Sequence, residues 1–140
     1  MATANAVEPT PEQIRSFLDS HEDGVPVYML NLLKFKRIST YRDGQQVSGA
    51  QAYERYAQAF GDMLRDLDID GVETVFGGQV DRFLIGGGEG EWDAVAIVRY
   101  PDKRSMFDAV SSETYRSFHF HRKAGLEGQL LIACDGSGVF

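Results

Sequence analysis

The clearest pattern of apolar and polar positions in the chain is the run 27–35, VYMLNLLKF, which is apolar on both of its alternating faces. The run is long enough for one strand and too short to cross a membrane. Because strand side chains alternate, Asn31 lies on one predominantly apolar face and Lys34 on the other. A strand of this kind predicts a sheet that is covered on both sides.

Apolar residues at helical spacing predict three helices, over 10–24, 48–68 and 102–123. Thr10 with Gln13, and Ser48 with Gln51, have the spacing of capping boxes, which place the first two helix starts. The third helix is expected to restart with a new cap near 111–113 and to continue as one helix to about residue 123.

Runs rich in β-branched and aromatic residues predict the remaining strands. Gly77-Gly78 predicts a bulge or break, and the glycine-rich segment 86–90 predicts a hairpin turn. The predicted strands are 25–36, 72–76, 80–85, 92–100 and 129–134.

After the first helix, the order of elements is strand, helix, strand pair, helix, strand. Two strand–helix–strand halves predict the α+β fold called ferredoxin-like, a split β-α-β arrangement with one antiparallel sheet. Right-handed crossovers place both helices on one face of the sheet. The other face is also apolar, so we expect a second copy of the chain to cover it in a homodimer.

Composition narrows the class of protein. The 140 residues suit a single globular domain, with a tail and short helix at 1–24, the domain at 25–136 and a tail at 137–140. A net charge of −7 and a pI near 4.9 argue against nucleic acid as a partner. Cys134 is the one cysteine and fits a reducing compartment; in its apolar run it is expected to be buried. Without a basic, apolar start, the expected location is cytoplasmic, with no membrane contact.

Three motifs, in order along the chain, resemble a known family. They are VYMLNLLKF at 27–35, EGEW at 89–92, and SSETY at 111–115 followed by Arg122 seven residues on. Together they resemble a bacterial domain-of-unknown-function family within the dimeric α/β-barrel superfamily, over roughly 25–136. The resemblance implies the fold and the dimeric barrel. It implies little chemistry, because the superfamily includes cofactor-independent oxygenases, isomerases, haem-degrading enzymes and binding proteins.

Asn31 is the first candidate for a functional site, because a buried unpaired amide costs about 1–3 kcal/mol. It is either a structural amide bonded to neighbouring backbone or a group that orients a carbonyl in a pocket. The sequence leaves open whether it faces the barrel interior or the helices. Lys34 is either a surface residue with a buried stem or a contact for an anion.

Tyr115, His119 and Arg122 fall on one side of the predicted last helix, where an unpaired charge is costly. Arg122 could clamp a substrate carboxylate or form a buried salt bridge to an acid such as Glu89 or Asp93. His119 could act as a general base, as a haem ligand or as an ordinary hydrogen-bonding residue.

Tyr53, Trp92 and Arg99 complete the candidate ligand contacts, together with Lys34 and Tyr115. Trp92 is either a packing residue or a stacking wall, and Tyr53 belongs to an apolar stripe from which its hydroxyl could reach a pocket. His119 and His121 are two residues apart, which does not place two ligands on one helix face, so no metal site is expected. His121 is expected to be solvated.

These observations lead to a hypothesis with two alternatives. The chain is expected to bind a small anionic or carbonyl-bearing organic molecule in the barrel, with Asn31, His119 and Arg122 as candidate catalytic residues in metal-free acid/base or cofactor-independent oxygenase chemistry. No cofactor is expected. The first alternative is haem binding or degradation, since the Asn, Trp and His positions are similar in kind to a haem site of the superfamily. The second is a binding or sensor protein without turnover.

Overall fold

The computed structural model describes residues 6–138 and has the predicted α+β composition. Residues 1–5 of the predicted N-terminal tail and residues 139–140 of the predicted C-terminal tail lie outside the described range. The elements in chain order are α1 (Pro11–Ser20), β1 (Val27–Phe35), α2 (Gly49–Asp66), β2 (Glu73–Gln79), β3 (Ala94–Tyr100), α3 (Lys103–Val110), α4 (Glu113–Phe118), α5 (Phe120–Gly125) and β4 (Leu126–Cys134).

The strands form one antiparallel sheet in the order β2-β3-β1-β4. Each strand–helix–strand half joins two strands that are separated by a strand of the other half, as the split β-α-β arrangement requires. The central strand β1 carries Asn31, which lies opposite Ala96 of β3 and Leu131 of β4.

Both predicted capping boxes are present. The Thr10 and Ser48 hydroxyls accept from the backbone N–H groups of Gln13 and Gln51, and the two glutamine side chains accept from the cap residues' own N–H groups. Each box satisfies two N–H groups that a helix start would otherwise leave unpaired. This is why the sequence places these two helix starts correctly.

The inner face of the sheet is the one that the helices cover, and on β1 it carries Val27, Met29, Asn31 and Leu33, all buried. Part of the core packs α1, α2 and α3 against this face: Val27, Met29 and Tyr100 contact Phe17, Phe60 and Met106. Asn31 therefore points towards the helices and away from the interior of the expected barrel, so a ligand in contact with it would lie between the sheet and the helices rather than in the barrel, as the sequence had led us to expect.

The outer face of the sheet consists of the alternate positions and is mainly apolar, with charged side chains towards its ends. Phe76 and Ile132 on this face are 55 % and 44 % exposed. No described helix packs on it, and the described helices include none that is both long and apolar enough to span a membrane. The register places the following side chains on the outer face: Tyr28, Leu30, Leu32, Lys34, Glu73, Phe76, Val95, Ile97, Arg99, Leu130, Ile132 and Cys134.

Helices α2 and α5 approach each other closely at two glycines. A Cβ on Gly49 would lie 2.1 Å from the Lys36 carbonyl oxygen, and a Cβ on Gly125 would lie 2.5 Å from the Gly49 carbonyl oxygen. The Gly49 N–H donates to that same Lys36 oxygen, and the Lys36 N–H donates to Gly125 O. This contact fixes the start of α2 against the segment that leads from α5 into β4.

Two predicted elements were wrong. Residues 80–85 form a loop rather than a strand, because the pairing with β3 ends at Gln79 and Ala94 and is followed only by a hydrogen bond from Val80 N–H to the Asp93 carbonyl oxygen. Leu84 and Ile85 are consequently 88 % and 95 % exposed. The irregularity of β2 falls between Thr74 and Phe76 and not at the predicted glycine pair.

The last helical region also differs from the prediction, because it divides into α4 and α5 at His119. The restart with a new cap was correct: Ser112 caps α4 by accepting from the Tyr115 N–H. Cys134 is exposed, contrary to expectation, because it lies on the outer face of an edge strand. His121 is half-buried and lies 2.6 Å from the Tyr41 hydroxyl through its Nδ1.

Candidate functional site

A chain of polar side chains runs through the layer between the inner face and the helices. Asn31 Oδ1 accepts from Gln129 Nε2 at 2.8 Å, and Gln129 Oε1 accepts from Arg122 Nη1 at 2.7 Å. Arg122 Nη2 lies 3.3 Å from the Glu8 carboxylate. We call these four residues the inner polar network; it connects β1, β4, α5 and the N-terminal segment.

Asn31 is buried and its amide is fully engaged on the donor side. Its Nδ2 donates to the carbonyl oxygens of Met29 and Ala96, both at 3.2 Å. A side-chain amide has two N–H donors, so neither is free to bind a ligand carbonyl in this state. Asn31 therefore holds Gln129 in place, and through Gln129 it orients Arg122.

Arg122 is the buried charge of the network, with 8 % of its surface exposed. Its Nη1 is bound to Gln129 and its Nη2 faces Glu8, but within residues 6–138 its buried Nε has no hydrogen-bond partner. Leaving a buried donor unpaired costs about 1–3 kcal/mol, and more for a charged group. The guanidinium is thus the least satisfied polar group in the layer.

The acid that pairs with Arg122 is Glu8, and not one of the two acids suggested by the sequence. Asp93 instead accepts from the Phe35 N–H at 2.9 Å and lies 3.4 Å from Lys34 Nζ. Glu8 reaches Arg122 because the Gln129 N–H donates to the carbonyl oxygen of Ala6 at 2.8 Å. We call residues 6–8, which this bond places beside β4, the N-terminal strap.

Aromatic rings form one wall of the layer beside Arg122. Tyr56 and Tyr115 share a hydrogen bond between hydroxyls at 3.0 Å, and the Tyr53 and Tyr56 ring centroids are 5.3 Å apart. Burial raises the pKa of Tyr53 to about 12 even though the nearby charge of Arg122 acts to lower it. Burial, with Tyr115 next in effect, raises the pKa of Tyr56 well above its usual value. These phenols are therefore neutral donors at neutral pH.

His119 lies at the junction of α4 and α5 and is half-buried. Its ring stacks on Tyr115 with centroids 5.9 Å apart, and its Nδ1 lies 3.4 Å from the Arg116 carbonyl oxygen. The structure thus brings His119 next to Tyr115, while the described contacts of its ring do not extend to the inner polar network.

The described hydrogen bonds of Lys34 and Arg99 lead to groups other than the inner polar network. Lys34 donates to the Gly90 carbonyl at 2.7 Å and so anchors the 80–93 loop. Arg99 lies on the outer face, 3.4 Å from the Gly71 carbonyl oxygen. Trp92 is buried at the end of that loop. Within the described part of the chain, no three His, Cys, Asp or Glu side chains are grouped as metal ligands would be.

Sequence reasoning missed two members of the network, Gln129 and Glu8. The signal for Gln129 was the one that identified Asn31: a polar amide inside an otherwise apolar strand, LEGQLLIAC. Glu8 gave no such signal, because it lies in a polar N-terminal segment and meets Arg122 only through tertiary structure.

The fold and the inner polar network together define the class of this protein. It is an α+β protein of the ferredoxin-like type with a polar network beneath its helices. A protein from Bacteroides fragilis described as dimeric, of unknown function and with a ferredoxin-like fold aligns with a TM-score of 0.51 at 7 % identity, covering 81 % of this chain and 99 % of that one. SnoaB from Streptomyces nogalater, described as a cofactor-independent oxygenase, aligns with a TM-score of 0.53 at 9 % identity, covering 83 % and 97 %. Identities this low show the shared fold alone, and the predicted fold class is confirmed.

The family follows from a nearer likeness. The methylated RPA0582 protein is 30 % identical, with a TM-score of 0.85 over 98 % of both chains. A second structure of RPA0582, a protein of unknown function from Rhodopseudomonas palustris, is 29 % identical with a TM-score of 0.84, covering 96 % of this chain and 98 % of that one. The chain belongs to the RPA0582 family, which confirms the resemblance to a family of unknown function. No family model and no curated protein matches it.

Proposed function

We propose that the chain binds a small organic anion or carbonyl compound between the inner face of the sheet and the helices, at Arg122. The observation that carries the proposal is the buried guanidinium whose Nε lacks a partner among the described residues. A buried arginine is stable when its charge is paired and its donors are bonded. A ligand that accepts a hydrogen bond from Nε would supply the partner that this donor lacks among the described residues.

In this proposal the neighbouring residues have different roles. Asn31 and Gln129 hold the Arg122 side chain in one orientation, and Tyr53 and Tyr115 offer their hydroxyl groups to the ligand. His119 stacks on Tyr115 and carries an imidazole, the side chain that most often transfers protons in enzymes, so it is the candidate general base. These roles would support metal-free acid/base chemistry. Cofactor-independent oxygenation is the alternative chemistry of the same proposal, and SnoaB, described as a cofactor-independent oxygenase, shares the fold.

The proposal includes a homodimer formed through the outer face. On that face Phe76 and Ile132 are about half exposed, and the apolar side chains of β1 and β3 between them are only partly buried, which is unfavourable for an isolated monomer. A second copy of the chain would cover them face to face, and the Bacteroides fragilis protein of the same fold is described as dimeric.

Native mass spectrometry of the freshly purified protein, repeated after denaturation, tests the binding site. We expect a dimer that carries an additional small molecule, lost on denaturation. Arg122→Met should abolish this extra mass because it removes the guanidinium while keeping an apolar stem of similar length. Arg116→Met is the matched control, since Arg116 is exposed on α4 and, among the described residues, its side chain donates only to the Ser111 carbonyl oxygen. A ligand retained equally by both variants would contradict the site.

A further inference from the structure

The nitrogen donors of the Arg122 guanidinium fall into two sets. One set has a close hydrogen-bond partner, and the other is only partly hydrogen-bonded. Nη1 is bound to Gln129 at 2.7 Å, a short charge-assisted hydrogen bond. Nε and Nη2 form the adjacent edge of the guanidinium, which is the edge that can bind both oxygens of a carboxylate in parallel. On this edge only Nη2 has a partner among the described residues, the Glu8 carboxylate.

The contact with Glu8 is loose for an arginine–carboxylate pair. The 3.3 Å separation of Glu8 Oε1 from Nη2 exceeds the 2.7–2.9 Å typical of such pairs. The Glu8 side chain is 47 % exposed, whereas that of Arg122 is 10 % exposed. Glu8 also lies 3.7 Å from Lys123 Nζ, so it divides its interaction between two cations. A one-point contact between an exposed acid and a buried arginine is easily exchanged for a better one.

We propose that the Nε–Nη2 edge of Arg122 binds the carboxylate of an organic acid, and that Glu8 occupies this edge in the empty protein and is displaced by the ligand. The inference rests on the proposed function and specifies its ligand class. The present occupant is itself a carboxylate, and the planar fork of the guanidinium matches a second one. The ligand would gain the bond to Nε that Glu8 does not make.

The N-terminal strap makes the displacement feasible. Apart from the contacts of the Glu8 side chain, the described residues show one hydrogen bond between the strap and the sheet. In this bond the Gln129 N–H donates to the Ala6 carbonyl oxygen. Glu8 can therefore leave Arg122 without disturbing Asn31 or the helices. Gln129 contacts both the strap and Arg122, since its backbone N–H bonds the strap and its side chain bonds Arg122.

Formate, the smallest carboxylate, is the probe, because it needs no preformed cavity beyond the guanidinium edge. The readout is the ¹H–¹⁵N NMR signal of Arg122 Nε, titrated with sodium formate against sodium chloride at constant ionic strength. We expect a saturable shift with formate and none with chloride. In Glu8→Gln the apparent affinity should increase about tenfold, as expected if Glu8 holds the edge about nine-tenths of the time. Glu12→Gln, which removes the same charge from the exposed first turn of α1, should behave like the wild type.

The outcomes separate this inference from the proposed function. Equal formate affinity in the wild type and Glu8→Gln would overturn the displacement of Glu8, while the anion site at Arg122 would stand. An Nε signal that formate does not shift in any of these proteins would overturn the carboxylate assignment. If native mass spectrometry still found a ligand that Arg122→Met lost, the proposed pocket would survive with a different ligand class.

Discussion

The two faces of the sheet differ in what covers them, although the sequence gives both the same apolar character. On β1 the inner face is buried under helices of the same chain and contains Asn31, whereas the outer face is only partly buried. A polar residue on the inner face must be bonded, and Asn31 belongs to a network that ends at a partly unpaired arginine. We infer that the inner face serves ligand binding and the outer face serves assembly.

The largest predicted effect comes from a substitution that disrupts the packing of the helices that cover the inner face. Gly125→Ala would place a Cβ 2.5 Å from the Gly49 carbonyl oxygen and 3.0 Å from the Ala52 Cβ. Because backbone atoms cannot move aside cheaply, we expect the free energy of unfolding to fall by about 3 kcal/mol. Urea denaturation measures this loss.

Gly61→Ala is the matched control within α2. A Cβ there meets nothing within 4 Å. Alanine is the better helix former, so this variant should gain about 0.5–1 kcal/mol. Equal losses in the two variants would show that the close contact between α2 and α5 is not what limits stability.

The second prediction concerns the outer face. Ile132→Glu should weaken the proposed dimer at least about 100-fold, because it buries an unpaired charge in the interface. Phe107→Glu is the control: Ile132 and Phe107 are both 44 % exposed in the single chain, but Phe107 lies on α3, away from the outer face. Sedimentation velocity should show monomers for the first variant and dimers for the second. Dimers in both would assign the interface to another surface.

The third prediction separates the network from ordinary packing. Asn31→Leu should cost about 1–3 kcal/mol, because it leaves the Gln129 side chain and two backbone carbonyls without their partner. Adding Gln129→Met should recover part of that loss, since the amide left without its acceptor is removed as well. Losses in the double variant that equal the sum of the single losses, measured by urea denaturation, would contradict coupling between the two amides.

The smallest effect is a pH dependence. Burial raises the pKa of Tyr53 to about 12, above the ordinary value of 10.0, so between these values the folded protein keeps a proton that the unfolded chain releases. Stability should therefore fall as pH rises from about 10 to about 12. Tyr53→Phe should make this alkaline decline of the melting temperature shallower. If the melting temperature of Tyr53→Phe fell with pH as steeply as that of the wild type, the Tyr53 hydroxyl would be in contact with water rather than buried.

The sequence predicts the fold well because its signals are local. Capping boxes at Thr10 and Ser48 and the apolar run on β1 act within a few residues and are enough to order the elements. The break at His119 has no such signal, since its backbone stays near the helical region. The predicted strand at 80–85 failed because a strand requires a neighbour that local pattern cannot supply.

The candidate site was less predictable because its contacts are distant in sequence. Asn31 could be singled out as a polar residue in an apolar strand, and Arg122 as a charge on an apolar helix face. Their connection through Gln129, and the approach of Glu8, depend on how β4 and the N-terminal strap pack together. Which face of β1 the helices cover likewise follows from topology rather than from alternation.

A crystal structure of the protein, purified without removal of its natural ligand, tests the central claim most directly. The account predicts a small molecule between the inner face and the helices, with a planar group on the Nε–Nη2 edge of Arg122 and Glu8 moved away. A ligand enclosed between the outer faces of two copies, with Arg122 still paired to Glu8, would contradict it.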